Sequence, residues 1–560
     1  MTVAAATRRG RPGESVQALA DALTMPALTV LMVGALLLFI VYPLGLVFVK
    51  SFEGDAGPTL GNYVRFFSSR YFLGSLRNSL VLAAITTAAT VTLGLVVAFV
   101  VTRGPTALRM PARLTALLPL IAPSYVFGVA LIILGGRQGL VNQMLGTEFR
   151  IFGWPGVILG QVLTILPVCY LMAENVLTSM DRNLEDSASD LGASALQVVR
   201  TITLPLATPG LLKAALLAFA LSIADFATPT ILGGGLAFLA QDALLLVIGA
   251  EYDLRMASVL SVFLILPSFV SFLVHHRWLA GRSYTTITGR GGAVEARAMP
   301  PVLQVPLVLL TMVVCLAILI PMAVVVFGAF TQLAGINNAW TLQHFSNFRG
   351  LRALAFSLRM AAVAAGIAAV LGVVLAYVLA RRRFAGRSLV EFVALLGFAI
   401  PGTVLGIGYV LAFNTPPLRL TGTFWIIVLG CVFHYLAVVV EAGISKLSQI
   451  DVSLEEASRD MGASTLGTFG RIVLPLMGTA LMAGLVYTFM NSMLTLSTVI
   501  FLISPGRETA SAVIFHFARM GELGLASAFS VLLIGAVLLC LAVLWTVVRR
   551  RGMLVLGGTG

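Results

Sequence analysis

Long apolar runs alternate with short polar breaks along almost the whole chain. The first, ALTVLMVGALLLFIVYPLGLVFV from Ala27, holds no charged residue. As a helix it crosses the roughly 30 Å of a bilayer's hydrocarbon core. Similar runs lie near 27–49, 78–102, 114–136, 154–177, 207–232 and 257–275, and again near 302–330, 354–380, 389–413, 422–443, 477–503 and 525–548. The pattern predicts twelve spans in two sets of six. Water is absent from the bilayer core, so only hydrogen bonds within each segment satisfy its backbone, and the expected fold class is an all-α polytopic membrane protein.

Composition strengthens that reading. Of 560 residues 59% are hydrophobic and 11% charged, with a mean hydropathy of +1.00, which excludes an ordinary soluble globular protein. Cys169, Cys315, Cys431 and Cys540 each sit singly in apolar sequence and read as packing residues rather than metal ligands or redox pairs. The segment RRGRPGESVQALADAL precedes a run longer than a signal-peptide core and without a small-residue cleavage site, so that run is expected to stay as the first span. The net charge of +13 is not gathered into basic stretches with interleaved aromatics, and nucleic acid is not an expected partner.

The charge instead orients the spans. With both termini in the cytoplasm, 23 of the 36 basic residues fall on the inner side. The expected organisation is a cytoplasmic segment 1–26; a six-span half 27–275 with a core near 75–275; a polar, Gly/Arg-rich cytoplasmic linker 276–301; a second half 302–548 with a core near 354–548; and a cytoplasmic tail 549–560.

Two polar phrases repeat across the halves, LEDSASDLGAS from Leu184 and LEEASRDMGAS from Leu454. Glu455, Asp460, Gly462 and Pro475 follow Glu185, Asp190, Gly192 and Pro205 at one constant interval, and Phe489, Thr498 and Leu502 follow Phe219, Thr228 and Leu232 at the same one. Six spans separate the copies, and an even number preserves orientation. The halves are therefore parallel repeats about an axis along the membrane normal, unlike the inverted repeats of many secondary transporters. Acidic residues in a first helical turn, then a glycine, then a proline predict a short surface helix, a bend and the root of the fifth span. Each phrase makes a handle that a partner can grip.

This spacing resembles the EAA…G…I-LP signature of the membrane subunits of bacterial binding-protein-dependent ABC importers, the type I permeases. Asp186-Ser187-Ala188, Gly192, Ile202, Leu204 and Pro205 carry it in the first copy; Glu456-Ala457-Ser458, Gly462, Ile472, Leu474 and Pro475 in the second. Asp186 replaces the usual glutamate, and Ser187 and Ser458 replace alanines. The resemblance implies a MetI-like fold and a coupling surface formed by Glu185, Asp186, Ala188, Asp190, Gly192, Glu455, Glu456, Ala457, Asp460 and Gly462. It implies two copies of a cytoplasmic ATPase subunit as partners, with ATP and Mg on that subunit, and a solute-binding protein on the outer face of the bacterial inner membrane. The chain holds only Lys50, Lys213 and Lys446, none after a glycine, so it has no phosphate-binding loop of its own and is not expected to be an enzyme or to bind a cofactor.

Charge inside a span is costly and marks candidates for function. Asp225 lies in the fifth span of the first half; at the repeat interval stands Thr495, with Asn491 one turn earlier. Asp225, Thr228, Asn491, Ser492, Thr495 and Thr498 form a candidate polar pathway, while Pro229 and the following glycines equally suit Asp225 to a helix cap. His275, His276 and His434 make no metal site. The segments ADFATPTILGG and LTLSTVIFLISPG look similar to those of ferric-iron-type permeases, a group that shades into 2-aminoethylphosphonate, thiamine and polyamine importers. Ferric iron is the favoured solute. The alternative of another class is a secondary transporter driven by an ion gradient, with Asp225 as its coupling carboxylate.

Overall fold

The computed structural model describes residues 26–181, 183–274 and 301–550. Most of the N-terminal segment and the linker, with Arg182, His275 and His276, and the tail from 551 lie outside the described residues.

Each half runs through the same elements. An opening helix, Pro26–Ser51 or Pro301–Ala329, leads into a two-stranded antiparallel hairpin, Glu53–Gly54 with Gly57–Pro58 or Thr331–Leu333 with Asn337–Trp340. The second spans, Arg70–Arg103 and Phe348–Arg381, each have 34 residues and start at a side-chain cap, Ser69 accepting from the Phe72 amide and Asn347 from that of Gly350. The third spans are broken rather than straight, Thr106–Leu117 with Ser124–Gly135 and Arg387–Ala399 with Gly402–Phe413, the second pair bent by 108°. Pro123 and Pro401 account for the breaks, because proline drives the preceding residue out of helical geometry; Ala122 and Ile400 are extended.

The fourth spans, Trp154–Ser179 and Phe424–Leu447, lead to the handles, and the fifth and sixth spans follow. Between fifth and sixth, at the end of the bundle away from the handles, lie short helices Leu239–Ile248 and Ala510–Arg519. Serines of the second spans cap both: Ser79 accepts from the Leu239 amide at 2.9 Å and Ser357 from that of Ala510 at 2.8 Å.

Equivalent residues lie further apart in the chain through the third spans (Ser79 and Ser357, Pro123 and Pro401) than beyond them (Glu185 and Glu455, Asp225 and Thr495). The cause is a longer connection in the first half, 136–153 against 414–423 in the second. The duplication therefore covers the halves from their opening helices onward.

The halves exchange their opening helices. Phe39 of the first stacks on Phe433 with ring centroids 4.7 Å apart, and a Cβ at Gly408 would stand 3.0 Å from the Pro43 carbonyl oxygen. In return, a Cβ at Gly328 would stand 3.0 Å from Ile133 Cδ1. Neither half closes its packing without a helix from the other.

Among the described residues nine helices are long and apolar enough to cross a bilayer, or eleven with each of the two bent pairs Arg387–Ala399/Gly402–Phe413 and Thr465–Leu476/Gly478–Leu494 counted as one span. The remaining expected segment is the apolar helix Leu254–Val274.

Candidate functional site

The handles are the helices Asn183–Asp190 and Ser453–Asp460. Each ends in a glycine of left-handed geometry, Gly192 at φ 89° and Gly462 at φ 85°, which a Cβ disfavours. A serine cap then opens the next helix, Ser194 accepting from Gln197 and Ser464 from Gly467, and a π-turn (Val199–Thr203, Phe469–Val473) roots the fifth span.

The ten expected coupling residues divide into two groups. Asp190, Gly192, Glu456, Ala457, Asp460 and Gly462 are exposed, and Asp186 and Ala188 are half-buried. Glu185 and Glu455 turn inward instead. Arg103 Nη2 meets Glu185 Oε1 at 2.8 Å, and Arg381 Nε meets Glu455 Oε1 at 2.8 Å. The Thr203 hydroxyl donates to Glu185 at 2.6 Å, and the Tyr377 hydroxyl to Glu455 at 2.9 Å. Arg381 also donates to the Leu447 and Ile450 carbonyls. Sequence reasoning missed these arginines. Their signal is the longer interval, since Arg381 follows Arg103 as Ser357 follows Ser79.

Three apolar side chains stand exposed on and beside each handle, again at equivalent positions: Leu184, Leu191 and Leu196, and Leu454, Met461 and Leu466. Leu191 is 89% exposed and Met461 82%, a degree of apolar exposure on a polar surface that suits coverage by a partner protein.

The fifth spans break at equivalent points. Leu204–Ala224 ends at Asp225 and Gly478–Leu494 at Thr495, both extended. Asp225 Oδ1 accepts from the amides of Ala227 (3.0 Å) and Thr228 (3.3 Å), and Oδ2 from Gln161 Nε2 (3.2 Å). Asp225, one residue before the N-cap Phe226, thus accepts the first two amides of the short helix Ala227–Leu232. Gln161 also accepts from Ser222 and Thr86 in a buried network, and in the second half Cys431 stands at the position of Gln161.

Glycines fix the segments beyond the breaks. A Cβ at Gly160 would stand 2.7 Å from Thr228 Cγ2 and 3.3 Å from Leu232 Cδ1; one at Gly430 would stand 3.3 Å from Thr498 Cγ2 and 3.1 Å from Leu502 Cδ1. Thr228, Ser492 and Thr498 are fully buried, Thr495 is 8% exposed, and only Asp225 and Asn491 are half-buried. Across the boundary between halves Phe226 meets Phe515 with centroids 5.7 Å apart and Tyr125 meets Phe515 at 6.5 Å, all three rings buried. Thr228 and Thr498 thus pack against glycines of their own halves, while buried aromatic rings fill the boundary between the halves. Among the described residues no three His, Cys, Asp or Glu side chains converge as a metal site requires.

The family model described as "Binding-protein-dependent transport system inner membrane component" matches twice, at residues 90–283 and 368–551. The ferric transport system permease protein FbpB of Actinobacillus pleuropneumoniae is 30% identical over 509 residues, covering 89% of this chain and 74% of that one. A putative ferric transport system permease protein, FbpB 1 of Haemophilus influenzae, is 31% identical over 480 residues, covering 83% and 76%. A chain of a bacterial alginate ABC transporter, solved with its alginate-bound periplasmic protein, aligns at 17% identity and a TM-score of 0.38 over 47% of this chain and 95% of that one. Two tandem matches across equivalent halves, each carrying the handle, show that the chain belongs to the inner membrane components of binding-protein-dependent transport systems.

Proposed function

We propose that this chain is the permease subunit of an ATP-driven importer of ferric iron, lying in the bacterial inner membrane with both termini in the cytoplasm. Two copies of a separate ATPase subunit, which carry the ATP and Mg, grip the two handles through Asp186, Ala188, Asp190, Glu456, Ala457, Asp460 and the exposed apolar trios. Glu185 and Glu455 hold the handles from within, and Gly192 and Gly462 shape their ends. A solute-binding protein delivers iron to the opposite face. The solute path runs between the fifth spans past Asp225, Thr228, Asn491, Ser492, Thr495 and Thr498, and opens when the segments beyond the two breaks move apart.

The observation that carries the reading is the pair of equivalent handles, each bolted inward by one carboxylate and offering apolar side chains outward. Ferric iron rests on the names of the two long relatives. Proteoliposomes holding the full chain, the ATPase and the binding protein test it: uptake of radioactive iron is expected to require ATP and the binding protein together. Uptake driven by a proton or sodium gradient without the ATPase overturns the importer, and ATP-dependent uptake of 2-aminoethylphosphonate with no uptake of iron overturns the solute.

A further inference from the structure

Arg103 and Arg381 are the last residues of the second spans, and Glu185 and Glu455 lie in the first turns of the handles. A cation at a helix C-terminus and an anion at a helix N-terminus each complement the helix dipole, so each pair joins two helix ends with favourable charge. The arginines are related by the longer of the two repeat intervals and the glutamates by the shorter. The contact is present in both copies although the connection 136–153 lengthens the chain between its members in the first half.

The third partner differs between halves. Thr203, at the root of the fifth span, donates to Glu185, and Val473 is its equivalent; Tyr377, in the second span, donates to Glu455, and Phe99 is its equivalent. The first handle thus bridges second and fifth spans through one carboxylate. In the second half the carboxylate is held by Tyr377 and Arg381 of the second span and, at 3.5 Å, by Arg459 one turn further along the handle itself; Arg381 clamps the end of the fourth through the Leu447 and Ile450 carbonyls, and Ser458 reaches the root of the fifth by a 3.0 Å hydroxyl contact with Thr468. Glu455 is 1% exposed, against 17% for the side chain of Glu185.

We propose that Arg103–Glu185 and Arg381–Glu455 are positioning pins: each passes the displacement of its handle to a second span, and the pin of the second half is the stiffer. This transmission role rests on the importer reading. The pins sit in the first turns of the handles, and Gly192 and Gly462 follow their last turns, each donating its amide back to its handle.

Two readouts test the pins in the full chain. Amide exchange over 453–460 in detergent, without partners, reports attachment: Arg381→Met is expected to speed it about tenfold while exchange in the spans stays unchanged, and Arg381→Lys to speed it less. In proteoliposomes with the ATPase and binding protein, Arg381→Met is expected to raise the ATP hydrolysed per solute imported by about fivefold or more with the ATPase still bound, and Arg103→Met by about twofold. Unchanged exchange over 453–460 overturns the pin, whatever the fate of the importer reading. Hydrolysis and uptake falling together at an unchanged ratio overturn transmission. Wild-type uptake without ATP overturns the importer reading, and the exchange result still decides the attachment.

Discussion

Arg381 and Glu455 stand 2.8 Å apart where the second span meets the second handle, with the glutamate almost wholly out of water. Removing one member of such a pair leaves a desolvated charge, whereas removing both leaves none. Glu455→Leu alone is expected to cost about 3–5 kcal/mol, and the double variant Arg381→Leu/Glu455→Leu distinctly less. Thermal unfolding in detergent checks this; equal or additive losses count against it.

The glycines that end the handles are required by conformation rather than space. Gly462→Ala has φ 85° against it and nothing within 4 Å of its Cβ, so a loss of about 1 kcal/mol is expected. Gly462→Pro adds a φ that proline cannot adopt and loses the amide that donates to the Arg459 carbonyl at 2.8 Å. It is expected to abolish co-purification of the ATPase while the spans keep their melting temperature. Glu456→Lys, on an exposed site, is expected to weaken that association without changing stability.

At the second fifth-span break the packing is tighter than any side chain allows. A Cβ at Gly406 would meet Phe501 Cδ2 at 2.7 Å and the Thr498 carbonyl oxygen at 2.9 Å, and its equivalent Gly128 meets Ile231 Cγ2 at 3.1 Å. Backbone cannot swing aside as a side chain can. Gly406→Ala is therefore expected to cost about 1–3 kcal/mol and Gly128→Ala less, read from thermal unfolding of the two variants side by side.

These contacts mark what the sequence could and could not disclose. Hydropathy and the repeat were enough for the class, the two halves and the position of both handles, because membrane spanning and short-range helix chemistry are written locally. Reading the repeat at one interval hid Arg103 and Arg381, since the longer connection 136–153 breaks the register ahead of the fourth span. Glu185 and Glu455 read as two more surface carboxylates because nothing local tells which way a helix face turns. Thr228 and Thr498 read as polar lining, yet their methyl groups lie against Gly160 and Gly430, a partnership between separate spans that no window of sequence contains. The exchange of opening helices is equally long-range.

Acid weakens one contact away from the handles in a predictable direction. Arg349 binds both oxygens of Glu508, at 2.6 and 3.0 Å, and this hydrogen-bonded guanidinium holds the carboxyl below its ordinary value. A carboxyl depressed in the folded state adds stability that is present above its unfolded value and is lost as pH falls through the folded one. The pair is partly exposed, so the effect is modest. The melting temperature of wild type is expected to exceed that of Glu508→Gln at pH 7, and the gap to close progressively below about pH 4.5, near the ordinary glutamate value. A gap independent of pH counts against the contribution of this charge.

Asp225 offers the sharpest separation of structure from chemistry. Its Oδ1 serves the Ala227 and Thr228 amides and its Oδ2 serves Gln161, so its accepting capacity is engaged by groups that need an acceptor, not a charge. An asparagine can still accept the two amide bonds through its carbonyl oxygen, but its NH2 then faces the Gln161 donor and that bond is lost. Asp225→Asn is accordingly expected to cost about 1 kcal/mol and to transport within about twofold of wild type, whereas Asp225→Ala loses the two amide bonds as well, destabilises more and transports less. Transport in the asparagine variant decides between the two roles the sequence left open. If the carboxylate were a coupling group for an ion gradient, or a ligand for the passing cation, the asparagine variant would fold and fail to transport; near-normal transport assigns Asp225 to holding the break in the fifth span.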